Sequence, residues 1–156
     1  MSSPPEPQWW VETYVSVAKG LEGQTALRPR GGAYTEFAGP LWRFVADMVP
    51  SAYCKGLTAR DACDAWYSGA FLLETVPSVL YILMRHAHDP EEALVRAVND
   101  TKDSDTVAAI VGSAVGALHG TSRLPVRWIS RLTGRLGEKD DGHVQTLLTA
   151  ARQRFC

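Results

Sequence analysis

The stretch that most constrains this chain is residues 99–120, NDTKDSDTVAAIVGSAVGALHG. It opens on a knot of acids and hydroxyls, Asp100, Thr101, Asp103, Ser104, Asp105 and Thr106, and continues as an apolar segment of small side chains. Ala108, Ala109, Gly112, Gly116 and Gly120 would share a face with almost no side chain on it. Each glycine inside a helix costs about 0.5–1 kcal/mol relative to alanine, so a sequence keeps several where another backbone approaches closely. The stretch therefore predicts a helix packed at the centre of a helical domain, with its acidic end in a cleft and the rest of the chain as its cover. A membrane GxxxG helix is ruled out, because the segment is too short and its flanks are wrong.

The flanking sequence is helical throughout. Residues 1–7 carry three prolines and two serines and predict a disordered leader, leaving residues 8–156 as one helical domain. Apolar positions over residues 8–21 fit an amphipathic helix, and the polar, Gly/Pro-punctuated residues 23–32 predict a mobile loop. Pro40 starts a helix that reaches about Val49, with Pro50 following its end. Thr58 with Asp61 resembles a capping box and opens a helix to about Trp66. Ser68-Gly69 breaks the chain before FLLETVPSVLYILMRHA, in which Pro77 predicts a kink or the first turn of a new helix. Asp89-Pro90-Glu91-Glu92 is a strong helix start: N-cap, proline at the first position, acids in the first turn. Pro125 begins another helix with Val126, Trp128, Ile129 and Leu132 on its apolar side. Residues 136–142 form a charged turn, and His143 to Phe155 a last helix with Val144, Leu147, Leu148 and Ala151 inward. No alternating strand pattern is present, so the fold class is all-α, a compact orthogonal helical domain.

Composition excludes several function classes. A net charge of −1 gives no general electrostatic footprint for nucleic acid, and the arginines at 123–135 read as a solvated helix face. No apolar run reaches the roughly 20 residues of a membrane span. Cys54, Cys63 and Cys156 are odd in number and lack CxxC spacing, which fits unpaired thiols in a reducing, cytoplasmic setting.

The chemistry resides in Asp103-x-Asp105-Thr106. Two residues apart on a regular helix, side chains diverge by about 200°, so these carboxylates converge only if the first lies in the loop and the second at the helix start. Carboxylates with a hydroxyl are hard oxygen ligands, suited to Mg²⁺, Mn²⁺ or Ca²⁺ and poor for zinc. The competing reading is that one acid caps the helix and the others are solvated. Residue types alone support both equally. His86-x-His88 reads as a solvent-exposed helix-end pair, and Gly112 to Gly116 is no nucleophile elbow, since no strand precedes it. Glu74, in an apolar run, is either a buried functional acid or a structural one, exposed or hydrogen-bonded. The five tryptophans read as core or interface residues.

DSDTVAAIVGSAVGALHG followed by LPVRW resembles the C-terminal signature of the ADP-ribosylglycohydrolase family, which includes the dinitrogenase-reductase-activating enzymes. ETVPSVLYIL and DPEEALVRAVND resemble the helices leading into it, so the likeness runs from about Phe71 to Trp128. The resemblance implies an all-α fold and two Mg²⁺ ions in a cleft where ADP-ribose is cut from a protein side chain or small acceptor. It makes Asp103, Asp105 and Thr106 the metal ligands supplied by the C-terminal half. This chain has Thr101-Lys102 where members commonly have Gly-Gly, which puts a lysine beside the site, either to alter its charge balance or to reach a substrate phosphate. A second acidic cluster of the Thr-Asp-Asp-Thr kind is not found; Glu36 and Asp47 are isolated acids. The expectation is therefore part of a site, with weak metal binding at best and a missing N-terminal half or a second copy as partner. The alternative is a degenerate, non-catalytic binding or dimerisation module that uses Trp9, Trp10 and Trp42.

Overall fold

The computed structural model describes residues 4–132, 134 and 141–155. Helices α1 (Pro7–Leu21), α2 (Leu41–Cys54), α3 (Ala59–Ala65), α4 (Leu72–His86), α5 (Pro90–Asn99) and α6 (Ser104–His119) follow in order, then a 3-10 turn at Thr121–Arg123 and helices α7 (Val126–Ile129) and α8 (Val144–Phe155). Among the described residues there is no strand, only an isolated bridge between Leu27 and Gly39. The all-α expectation holds.

The chain divides into two compact units, residues 1–123 and 124–156. In the first, α4 is the axis. From Leu73 to Met84 every residue is buried except Val76, which is half-buried, and α4 packs against α1, α2, α3, α5 and α6. One side joins Phe44, Val45 and Val49 of α2, Trp66, and Leu73 and Tyr81 in an apolar cluster. The other joins Ile82 and Leu83 to Ala93 and Ala97 of α5 and Val107, Val111 and Val115 of α6. A helix apolar all round is a core helix, and α4 fits that rule.

The expected central role of α6 is thus corrected. Its buried stripe is Val107, Val111 and Val115, not the glycines. A Cβ on Gly116 would meet nothing within 4 Å, and one on Gly112 would meet only the Leu94 Cδ2 methyl at 3.1 Å. Ile110 is 45% exposed. No backbone of another element comes within 4 Å of a Cβ built at Gly112 or Gly116, and α6 packs on α5 and α4 with its valine stripe in the shared apolar cluster.

Capping follows the sequence closely. Thr58 Oγ1 accepts from Asp61 N at 3.1 Å, and Asp89 Oδ1 accepts from Glu91 N and Glu92 N at 3.1 Å each. Two expectations fail. Pro50 does not follow α2 but lies within it. Its ring removes one backbone hydrogen bond, and the helix continues because the next turn buries Ala52 in the core. Residues 23–32 lack periodicity yet are tied down, by backbone bonds between Leu27 and Gly39, by buried Pro29 and by Arg30, whose guanidinium grips Glu74.

In the second unit, Leu147 and Leu148 are exposed rather than inward. The charged turn expected at residues 136–142 lies largely outside the described residues.

Candidate functional site

The acidic loop between α5 and α6 separates into residues with different tasks. Asp100 caps α5 and is buried. Arg60 reaches its Oδ1 at 3.1 Å and Arg96 its Oδ2 at 3.2 Å, and Arg60 also donates to the Asn99 carbonyl at 2.7 Å. A buried carboxylate with two guanidinium partners is an anchor, since burial without them would be costly. Thr101 Oγ1 donates to the Ala97 carbonyl at 2.6 Å. Both side chains are therefore engaged within the fold, and the loop's chemistry is left to the residues after them.

Asp103 occupies the N-cap position of α6 but makes no side-chain capping bond. Its Oδ2 is buried and has no hydrogen-bond partner. The capping reading predicts an acceptor satisfied by the backbone N–H groups of the first turn, so it does not describe Asp103. Asp105 follows in that turn. Its carboxyl is held below the usual carboxylate range by a hydrogen bond with the Asp103 carboxyl and by the backbone N–H groups of Thr106 and Asp105, against the opposing effect of burial. Asp103 stands in the loop at the N-cap and Asp105 in the first turn of the helix, the placement that lets two such acids face one site, and Thr106 is the next residue of that turn, exposed.

A strained turn holds this loop from below. Tyr67 (φ 78°) and Ser68 (φ 40°) are both left-handed and neither is glycine; such residues cost about 1–3 kcal/mol each. Ser68 is buried, and its carbonyl accepts from Lys102 N at 3.2 Å and Asp103 N at 3.1 Å. Its hydroxyl accepts from Lys102 N as well, at 3.2 Å. Lys102 Nζ lies 4.1 Å from the centre of the Tyr67 ring and 3.6 Å from Asp64 Oδ1.

Beside the loop is a cavity of about 420 Å³ lined by Arg30, Tyr67, Gly69, Ala70, Lys102 and Asp103. Glu74 forms its inner support. The carboxylate is fully buried and takes a paired grip from Arg30, Nε to Oε1 at 3.0 Å and Nη2 to Oε2 at 2.7 Å. Burial pushes the Glu74 carboxyl up, and the Arg30 guanidinium with the N–H groups of Arg30 and Phe71 outweighs it, so the group lies below its ordinary value. Of the two sequence readings of Glu74, the hydrogen-bonded one describes this arrangement. Arg30, Tyr67, Ser68 and Gly69 carried no motif. The available signal was Glu74 itself, because an acid in an apolar helix demands a cation from elsewhere.

The remaining candidates are structural. Ser113 Oγ donates to the Ala109 carbonyl at 2.8 Å; of the histidine pair expected in solvent, His88 is exposed but His86 is half-buried, and burial pushes its pKa down. Trp66 is fully buried while Trp9 is 46% exposed. Among the described residues no three or more His, Cys, Asp or Glu side chains gather into a metal cluster, so any cation here would rest on two carboxylates, a hydroxyl and water. Among the described residues no helix is long and apolar enough to cross a membrane.

Comparison with known proteins bears on this arrangement. The chain is 29% identical over 118 residues to an ADP-ribosylarginine hydrolase of Pseudomonas putida, a match covering 76% of this chain and 31% of that protein. It is also 29% identical over 85 residues to the glycohydrolase of ADP-ribosylated dinitrogen reductase from Rhodospirillum rubrum, covering 54% of this chain and 28% of the relative. The chain spans under a third of the length of these curated relatives. No solved structure matches it. The family model for ADP-ribosylglycohydrolases matches residues 11–154, and the chain belongs to that family.

Proposed function

We propose that this chain contributes part of the site of an ADP-ribosyl glycohydrolase, which hydrolyses the glycosidic bond between ADP-ribose and an acceptor such as an arginine side chain. The observation that carries this reading is the buried, unpartnered Asp103 Oδ2 beside Asp105. A carboxylate oxygen shut away from water without a donor is costly to leave so, and a hard cation removes that cost. Asp103, Asp105 and Thr106 would hold a Mg²⁺ or Mn²⁺ ion, with water completing its shell. When bound, such an ion supplies Lewis-acid polarisation and a means of orienting water.

The chain's own groups supply the surroundings. Lys102 and Arg30 place two cations on the cavity beside the acids, complementary to an anionic diphosphate. Asp100 and Ser68 hold the loop from either side. Members of this family named for ADP-ribosylarginine and for ADP-ribosylated dinitrogen reductase support a modified protein as substrate. Among the described residues no third acid joins the pair in a metal-binding group, which fits a partial site completed by another segment or another copy.

Release of ADP-ribose from an ADP-ribosylarginine protein tests this, with Mg²⁺ and with Asp105→Asn. Activity that needs the ion and falls about 100-fold or more in the variant is expected for a ligand to a catalytic metal. Equal rates for both, with and without added ion and with the completing segment or copy both absent and present, would refute it. Mn²⁺ should also raise Tm in the wild type and not in Asp103→Asn, because an ion that binds only the folded chain must stabilise it.

A second reading has its own observation. An apolar groove of about 550 Å³ runs along α1 and is lined by Tyr14, Val17, Leu21, Leu27, Leu41 and Leu72. Leu21 is 80% and Leu72 57% exposed. Such a surface suits a helical binding module, and a monomer in sedimentation at micromolar concentration would count against a homodimer there.

A further inference from the structure

We infer that Tyr67 and Ser68 are positioning residues whose left-handed backbone sets where the Asp103 carboxylate stands; the inference rests on the reading of Asp103 as a cation ligand. Two consecutive non-glycine residues at positive φ persist only where surrounding contacts over-determine them, and such strain gathers at functional sites. The contacts are present here. Lys102 N and Asp103 N both donate to the one Ser68 carbonyl, at 3.2 and 3.1 Å, which requires that carbonyl to point at the acidic loop. With an ordinary negative φ at Ser68 it would point elsewhere, Asp103 N would lose its acceptor, and Lys102 N would keep only the Ser68 hydroxyl.

The turn is held from its other side as well. Ala33 N donates to the Ala65 carbonyl at 2.6 Å. The backbone at Gly32 lies so close that a Cβ there would overlap the Ala65 carbonyl oxygen, and one on Gly31 would stand 2.8 Å from Tyr67 Cδ2. The Lys102 ammonium packs on the outer part of the turn, over the Tyr67 ring and against Asp64. Residues 31–33 thus brace 65–68, which aims its carbonyl at 102–103. No other carbonyl of the described residues takes both of those amides.

The test separates backbone conformation from packing. Ser68→Gly keeps the left-handed geometry at no steric cost and loses the side chain with its second, hydroxyl acceptor for Lys102 N. Ser68→Val disfavours that geometry strongly. Hydrogen exchange at the Lys102 and Asp103 amides and Mn²⁺ affinity would be measured on all three proteins. Ser68→Gly should keep both properties within about twofold. Ser68→Val should speed exchange at those two amides about tenfold while the interior of α4 keeps its protection, and weaken Mn²⁺ binding about tenfold, as loss of a supporting contact does.

Unchanged exchange in Ser68→Val overturns the inference, as does faster exchange with unchanged Mn²⁺ affinity, since the turn would then be only structural. If Ser68→Val does not fold, Tyr67→Ile applies the same backbone test at a residue 39% exposed. A wild type without any Mn²⁺ response refutes the cation reading by itself, and the exchange measurement then decides alone whether the turn holds the loop.

Discussion

Replacing Arg30 by alanine exposes what α4 needs from a distant loop. Glu74 is fully buried, yet the side chain covering it, Arg30, is 55% exposed, so the carboxylate lies one guanidinium below the surface. Removing one partner of a deeply buried pair costs about 3–5 kcal/mol, and a wholly exposed pair is worth about 0–1 kcal/mol. Water can reach part of the vacated space, which places Arg30→Ala between these limits at about 2–3 kcal/mol. For a chain of this length that is a fall in Tm of about 4–12 °C. The pH dependence fixes the cause. In the wild type the folded Glu74 carboxyl lies below its unfolded value. Its contribution is therefore present above the unfolded pKa and lost as pH falls through the folded one. In Arg30→Ala burial remains without its cation, so the folded carboxyl rises above the unfolded value. The variant is then worst at neutral pH and recovers relative to wild type as Glu74 protonates. Calorimetry from about pH 7.5 to about pH 4, spanning the carboxyl range, should show the Tm gap narrowing, and the double variant Arg30→Ala with Glu74→Gln should show a small gap without that slope. A gap independent of pH would refute the assignment of the cost to an unpaired Glu74 charge.

Two glycine substitutions should move stability in opposite directions. Gly116→Ala, inside α6 with nothing within 4 Å of the new methyl, should raise stability by about 0.5–1 kcal/mol, read as a higher midpoint in urea; a loss would mean that the glycine face is packed after all. Gly69→Ala puts a Cβ 2.6 Å from Glu74 Oε2 and 3.4 Å from Arg30 Nη2. Because that carboxylate is buried and clamped it cannot swing aside, and the cost should be about 1–3 kcal/mol; a neutral result would show the ion pair to be looser than its distances imply.

The elements of the fold were legible wherever local chemistry decides them. Thr58 and Asp89 are capping residues whose bonds form within three positions, so sequence spacing is sufficient to find them. The place of each helix in the core was less legible. α6 looks central because its side chains are small, and smallness is ambiguous: it permits close backbone approach, and it equally permits a half-exposed helix seated on a valine stripe. α4 is in fact the axis, and the sign of that was its apolar run with only Glu74 charged between Phe71 and Met84. Pro50 read as following the end of a helix and Pro77 as a kink or the first turn of a new helix, and both lie inside helices. A proline costs about 3 kcal/mol in a helix interior, and core burial on the following turn can exceed that, which no local rule can weigh.

The site divides along the same line. Asp103 and Asp105 were visible as acids at a spacing that could converge only at a helix start, and they stand at the N-cap and in the first turn of one. The turn beneath them was not visible. Left-handed backbone normally announces itself through Gly or Asn, and at Tyr67 and Ser68 the sequence offers neither, because the conformation is imposed by contacts from residues 31–33 and 102–103 that lie more than thirty positions away on each side. A residue type that fits its backbone can be read locally, and one forced into its backbone cannot. The same reasoning explains why Ser68 is a more informative position than the acids above it. Removing a carboxylate deletes a candidate ligand, whereas changing the backbone preference at Ser68 leaves both carboxylates in the chain and asks whether their placement matters.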